Sequence, residues 1–524
     1  MSRRMNNSFD IAVIGSGFGG SLMGMIARRL GRSVVLLERG RHPRFSIGES
    51  STPLANLLLE ELALRYDLPR LRPLTKWGSW QRARPQIGCG LKRGFTFYHH
   101  TFGHAFGHDP QRRDQLLVAA SPRDEIADTH WYRPDFDAHL VGEAQASGVE
   151  FIDQWRLDKF SIAEDGAKLE GERLGKPISL RARFVIDASG PRGFLHRALE
   201  LPEVPLEKMP RTQGLYSHFA GVRRWDEISP SAAPPYPVDD AAMHHVFDGG
   251  WIWVLRFNNG RTSAGVAATD ALAGELKFSE GAPAWERLLK RLPAVHAQFA
   301  GAQAVQPFVH VPQLSFLSGF VVAKEWALLP SAAGFMDPLL STGFPLTLLG
   351  IERLARVIET AWGRKEFTSQ LFDYSMRTTM ELLTTERLIA ALYAAMGDFE
   401  LFTALSLLYF AAASFTETAR RLGKPELAGG AFLLADHPVF GPRFRCCLDA
   451  ALHQPTGAAR AELLERIRQT IEPVDVAGLG EAARQNWFPA KAEDLFAASH
   501  KLDASREKIE RMLARCGFAV GTMQ

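Results

Sequence analysis

Cysteine is scarce in this 524-residue sequence: Cys89, Cys446, Cys447 and Cys516 are the whole set, and no two have C-x-x-C spacing. A disulfide framework is therefore not expected. The few residues before the first apolar run leave no room for a secretory signal, so a reduced, cytoplasmic protein is expected. Charge of one sign is also lacking, since 61 Lys and Arg stand against 58 Asp and Glu. No basic block lies beside aromatic residues, which argues against a nucleic-acid or anionic-lipid partner. Long apolar runs are missing too. The most apolar late stretch, residues 404–415, follows Asp398 and Glu400 and is shorter than the roughly 20 residues of a spanning helix. A buried helix and no transmembrane segment are expected there. Internal repeats and low-complexity linkers are absent, and 46% hydrophobic with 23% charged residues describes an ordinary globular chain with two or three cores.

What is present begins at residues 11–20, Ile-Ala-Val-Ile-Gly-Ser-Gly-Phe-Gly-Gly, followed by Val-Val-Leu-Leu-Glu at 34–38. Ile11 to Ile14 reads as a buried parallel strand, and Gly15, Gly17 and Gly20 form a G-x-G-x-x-G turn into a helix over 21–30. The helix N-terminus aims amides at a pyrophosphate, and Gly17 lets the backbone approach it. Glu38 closes the second strand where a carboxylate meets a ribose diol. Gly15, Ser16, Gly17, Phe18, Gly19, Gly20, Glu38 and Arg39 are thus candidate dinucleotide contacts.

A second strand signal at Phe184 to Gly190 makes the nucleotide domain discontinuous. The pattern divides into a Rossmann-type three-layer α/β domain over 1–110, 130–205 and 320–360, an antiparallel substrate-side sheet over 206–319, and a helical C-terminal region over 361–524. The class is α/β, α+β overall. Strands are expected at 244–247, 251–257, 262–268 and 308–311, and helices at 381–395, 458–471 and 504–514.

Three further segments carry a family resemblance. Gly48-Glu49-Ser50-Ser51-Thr52-Pro53, Arg133-Pro134-Asp135-Phe136-Asp137 and Phe184 to Gly190 resemble the p-hydroxybenzoate-hydroxylase-like FAD superfamily. Within it, the first of these, Lys92-Arg93-Gly94-Phe95-Thr96-Phe97, Trp251-Ile252-Trp253 and Asp337-Pro338-Leu339-Leu340-Ser341-Thr342-Gly343 are similar to flavin-dependent halogenases of the tryptophan-halogenase type, in the family's order over about residues 9–360. The resemblance implies FAD, reduced by a separate flavin reductase, which with oxygen converts chloride or bromide to hypohalous acid. It also implies that the acid travels to Lys92 beside an electron-rich aromatic substrate. FAD contacts carried over are Ile47, Gly48, Glu49, Arg133, Asp187, Ala188, Gly190, Asp337 and Phe344. Thr342 and Gly343 are the implied halide site, and Trp251 and Trp253 the shield between substrate and flavin. The chemistry suits these residue types: an ammonium polarises hypohalous acid, and helix N-terminal amides hold anions.

Two departures bear on the substrate. The family's W-x-W-x-I-P motif continues here as Val254-Leu255-Arg256, and Leu340 stands where tryptophan halogenases carry glutamate. A phenol, pyrrole or similar ring, free or carrier-tethered, is favoured over free tryptophan, in a pocket of Phe95, Phe97, Tyr98 and residues 407–410. The altered tryptophan motif leaves a second reading open, an FAD-dependent monooxygenase or lipid-type reductase of the same superfamily that does not halogenate. His99, His100, His104 and His108 are dense, but Gly103 and Gly107 oppose a common helical face, so structural histidines and no metal are expected.

Overall fold

The computed structural model describes residues 8–107, 109–164 and 166–518. The first strand, Ser8–Ile14, lies between Val34–Leu37 and Lys176–Asp187, both parallel to it. Trp326–Leu328 and Glu150–Ile152 extend the parallel sheet outward, and Val322–Ala323 closes one edge antiparallel. Helices cover both faces, which is why Ile11 to Ile14 and Val34 to Leu37 are unbroken apolar runs, almost wholly buried.

The glycine turn begins the helix at once: Phe18–Arg29 starts three residues before the expected position. Gly15 has φ +94°, and a Cβ there would lie 2.6 Å from the Ser189 Cα. At Gly20 a Cβ would lie 1.9 Å from the carbonyl oxygen of Gly15. That obstruction is backbone, so no side chain can swing aside. Gly20→Ala is expected to lose ~3 kcal/mol or more of stability together with dinucleotide binding. An unchanged denaturant midpoint would refute the close packing.

The second sheet runs through Thr212–Ala220, Thr262–Thr269, Gly250–Arg256 and Ala242–Phe247. It then draws in strands from outside 206–319: Gly94–His99, Gln115–Ala119 and Trp487–Phe488. Gly94–His99 pairs parallel with Ala242–Phe247, and its period of two turns Phe95 and Phe97 to one face and Thr96 and Tyr98 to the other. Just ahead of it, Cys89–Lys92 pairs antiparallel with Asp128–Trp131, which sets Lys92 opposite Asp128.

The C-terminal third is helical, with Phe367–Ala394, Phe399–Arg421, Phe440–Ala451, Gly457–Ile471 and Arg506–Cys516. The expected twelve-residue apolar segment is part of a 23-residue helix capped by Asp398, whose side chain accepts from the Leu401 amide. This corrects the length read from the sequence: Glu400, Glu417, Arg420 and Arg421 lie within the helix near its ends instead of bounding it. The helix is long and apolar enough to cross a membrane, yet two-thirds of its most apolar window is buried inside the protein.

Candidate active site

A cavity of about 810 Å³ extends from the glycine turn to the 337–344 loop. Its walls include Gly15, Gly17, Phe18, Gly19, Glu38 and Arg39 at one end and Asp337, Thr342, Gly343 and Phe344 at the other. Ile47, Gly48, Glu49, Ser50, Arg133, Ala188, Gly190, Trp251 and Trp253 line it between. The size suits a large cofactor. Ser16, Gly20 and Asp187 stand behind this wall, and so does Lys92.

At the glycine end, Glu38 Oε2 accepts from the Ser16 hydroxyl at 2.7 Å, the Ser16 amide at 3.2 Å and Arg44 at 3.2 Å, and Oε1 accepts from the Gly40 amide. Burial pushes this carboxyl up, but Arg44 and the amides outweigh it and hold Glu38 below its usual range, ready to accept from a diol. Ser16 therefore orients Glu38, and Arg39 is exposed at the mouth. Asp187 was expected to touch the cofactor. Its Oδ1 instead accepts from the Ser189 amide and hydroxyl, and its Oδ2 from the Leu195 amide. The carboxylate thus shapes the 188–195 turn, leaving Ala188 and Gly190 to face the cavity. Arg133 is pinned by a bidentate pair with Asp137 and donates to the carbonyls of Ile47 and Gly48. A Cβ at Gly17 would lie 3.2 Å from that guanidinium, so the cradle is already tight on its protein side. Amides at a helix N-terminus, a poised carboxylate and a long cavity fit FAD.

The 337–344 loop is bent by two left-handed residues that are not glycine, Leu340 at φ 62° and Ser341 at φ 56°. Such strain persists only where neighbours impose it. Tyr409 does so by donating its hydroxyl to the Leu340 carbonyl at 2.9 Å. The bend delivers Thr342 and Gly343 to the N-terminus of the helix Gly343–Ala361, whose first amides have no intrahelical acceptor; both residues line the cavity. Phe344 packs on Phe18 and Trp131.

Asp337 ties this loop to the tryptophan strand. Its Oδ1 accepts from Trp251 Nε1 at 3.1 Å and the Leu339 amide at 3.0 Å, and its Oδ2 from Tyr393 at 2.9 Å. Trp251 and Trp253 share one face with ring centroids 5.7 Å apart, and Trp253 covers Gly265, where a Cβ would meet its ring at 2.4 Å. Arg256, in place of the motif's proline, leaves this face to bind Asp239 at 2.9 Å and the carbonyls of Val222 and Arg223. The altered residue thus closes the sheet's end and leaves the two indoles in place. Burial pushes Asp337 up to about 6. A carboxyl raised on folding contributes stability below its unfolded value and loses it as pH rises through about 6. Asp337→Asn should therefore gain on the wild type between pH 5 and pH 8 by ~1.4 kcal/mol, since only the last unit of the shift, from pH 5 to about 6, is lost over that range. Parallel melting curves at both pH values would refute this.

Lys92 is wholly buried. Its ammonium donates to Ser50 Oγ at 2.8 Å and the Ser51 carbonyl at 2.5 Å and lies 3.8 Å from the Phe95 ring centre. Burial drives its pKa down, opposed by Asp128 across the strand pair. Burial and Glu417 drive Asp128 up, against Asn56, which donates to it at 2.7 Å, and Lys92. Phe95 and Phe97 pack on Phe410 and Phe402 as expected of an aromatic wall. Tyr98 does not join them: strand alternation turns it to the opposite face, against Trp225 and Phe106. The histidines do not converge either. His99 meets the Met396 carbonyl, His100 meets His245, His104 is exposed, and His108 lies outside the described residues. No metal-binding cluster occurs among the described residues.

Four partners escaped sequence reading: Ser50, Asp128, His218, which meets Glu49 at 2.8 Å, and Tyr393. Each sits far in sequence from what it touches, and only Ser50 lies inside a motif.

A Rossmann-type sheet with this cradle, a shielded strand and an anion-ready loop defines an FAD-dependent oxidoreductase. The tryptophan halogenase family profile matches residues 128–397, just over half of the chain. A monodechloroaminopyrrolnitrin halogenase of Pseudomonas fluorescens is 31% identical over 77% of this chain and 71% of its own length. A tetracycline 7-halogenase of Kitasatospora aureofaciens is 29% identical over 71% and 67% respectively. The crystal structure of halogenase PltM with phloroglucinol and FAD shares the fold at a TM-score of 0.80, with 24% identity over 91% of this chain and 99% of that one. The chain belongs to the flavin-dependent halogenases.

Proposed function

We propose that this enzyme halogenates an electron-rich aromatic small molecule at Lys92, using hypohalous acid formed at the 342–343 amides. The arrangement of Lys92 carries this reading: a buried ammonium, held by two oxygens and an aromatic face, is too costly to desolvate for a merely structural charge. Bound along the cavity, reduced FAD supplies the oxygen activation that oxidises halide. The chain's own groups do the rest. Gly15 to Gly20, Glu38 and Arg133 hold and orient the cofactor, Thr342 and Gly343 offer amides to chloride or bromide, and Trp251 and Trp253 keep the substrate ring off the flavin. Lys92 donates to the hypohalous oxygen, which makes the halogen electrophilic.

With Leu340 at the position of the family's glutamate, no carboxylate stands at that position to orient an indole amine. This supports a phenol, aniline or pyrrole as substrate. The relatives near 30% identity are named for aminopyrrolnitrin and tetracycline compounds, and two at 24% for pyrrole-2-carbonyl groups on a peptidyl carrier protein. A free small molecule is accordingly favoured over a tethered one. A separate flavin reductase supplies reduced FAD, and the free thiols of Cys89, Cys446, Cys447 and Cys516 suit the cytoplasm.

The test is product mass from a panel of phloroglucinol, pyrrole and aniline with reduced FAD and oxygen, with and without bromide. Brominated product that requires all of them supports the reading. Hydroxylated product independent of bromide would replace it with the monooxygenase reading.

A further inference from the structure

Lys92 does not border the cavity in which the oxidant forms, so the oxidant must cross a wall. The three groups around the ammonium differ in their freedom to move. The Ser51 carbonyl is fixed, because Ser51 is fully buried and donates through both its amide and its hydroxyl to the Thr129 carbonyl. Phe95 is wedged against Phe410. Ser50 alone belongs both to the lysine's shell and to the cavity wall.

Its neighbours are not equivalent. Glu49 lines the cavity, but its Oε1 is taken by His218, and it makes no contact with the lysine. His244 also lines the cavity, with Nδ1 on the Thr96 carbonyl and its ring stacked on Phe97, and burial drives it down to about 3, so it stays neutral. Neither reaches the Lys92 nitrogen.

We propose that Ser50 is the positioning residue through which hypohalous acid passes from the cavity to Lys92. While its oxygen accepts from the ammonium, its hydroxyl hydrogen is free to meet the oxygen of an arriving hypohalous acid. Lys92 then exchanges the serine for that oxygen, keeping its bonds to Ser51 and Phe95. The exchange moves hydrogen bonds only and transfers no atom. Without the hydroxyl the oxidant has no polar stop in front of the lysine and leaves by the cavity.

This rests on the role proposed for Lys92, and the experiment separates the two. The full-length chain is given reduced FAD, oxygen, bromide and whichever ring of the panel the wild type brominates, with monochlorodimedone in solution as scavenger. The readout is the share of oxidant delivered, brominated ring divided by brominated ring plus brominated scavenger, which a general loss of stability does not move. Ser50→Ala is expected to lower the share about tenfold, the worth of one charged hydrogen bond. Ser50→Thr, which keeps the hydroxyl, is expected to stay within about threefold of wild type. A wild-type share in Ser50→Ala, with the share lost in Lys92→Ala, would overturn the serine's role and leave the lysine's standing. Equal losses in the alanine and threonine variants would also overturn it, since the hydroxyl would not be the element that matters. A wild-type share in Lys92→Ala would remove the premise itself.

Discussion

Lys92→Ala is expected to lower aromatic halogenation by about 10³-fold, within the range for removing a group that acts on the reacting atoms. The oxidant should then appear in solution, measured as scavenger bromination per flavin oxidised. A second consequence concerns stability. The substitution leaves Asp128 buried opposite an apolar side chain, and its carboxyl, already pushed up by burial, loses a charge that pulled it down. A carboxyl raised further on folding is tolerated when protonated and loses stability as pH rises through its folded value. The deficit of Lys92→Ala should therefore grow from pH 6 to pH 8 and shrink on adding Asp128→Asn. A deficit independent of pH would show that the two side chains do not share charge across the strand pair.

Gly343→Ala is expected to cost halogenation about as much while leaving the fold intact. A Cβ at Gly343 would have no heavy atom within 4 Å, so nothing in the protein resists it, and the residue lines the cavity at the helix N-terminus. The added methyl would stand beside the amides proposed to hold the halide, and loss of such anion-binding donors costs 10² to 10³-fold or more, here about 10³-fold. Melting temperature and flavin retention should match the wild type. Halogenation within about threefold of wild type would place the halide elsewhere. Gly20 makes the contrast plain, since there the added carbon meets backbone rather than space.

The nucleotide half was legible because its interactions are local: Gly15, Gly20 and Glu38 act within thirty residues through backbone geometry and strand ends. The second sheet was legible in its alternating strands, such as Gly250–Arg256, but not in its membership. Gly94–His99 joins it across nearly 150 residues by pairing that no spacing rule encodes. Tyr98 was misassigned for a related reason, because the period of two was not applied to a segment read as a motif. Asp187 appeared as a cofactor contact since a sequence shows an acid but not its donors, and its oxygens are spent on the 188–195 turn, whereas Asp337 lines the cavity while bonding Trp251 and Tyr393. The Lys92 surroundings were the least legible, being assembled from residues 50–51, 95 and 128, which lie on three separate segments.

Tyr409 and Phe410 are sequence neighbours on one C-terminal helix, yet the first grips the Leu340 carbonyl of the 337–344 loop and the second abuts Phe95 beside Lys92. The two ends of the proposed oxidant route therefore share one helix. A shift or rotation of that helix would alter the length of the proposed route. On that route, the bend of the 337–344 loop and the packing beside Lys92 would therefore change together when the helix moves.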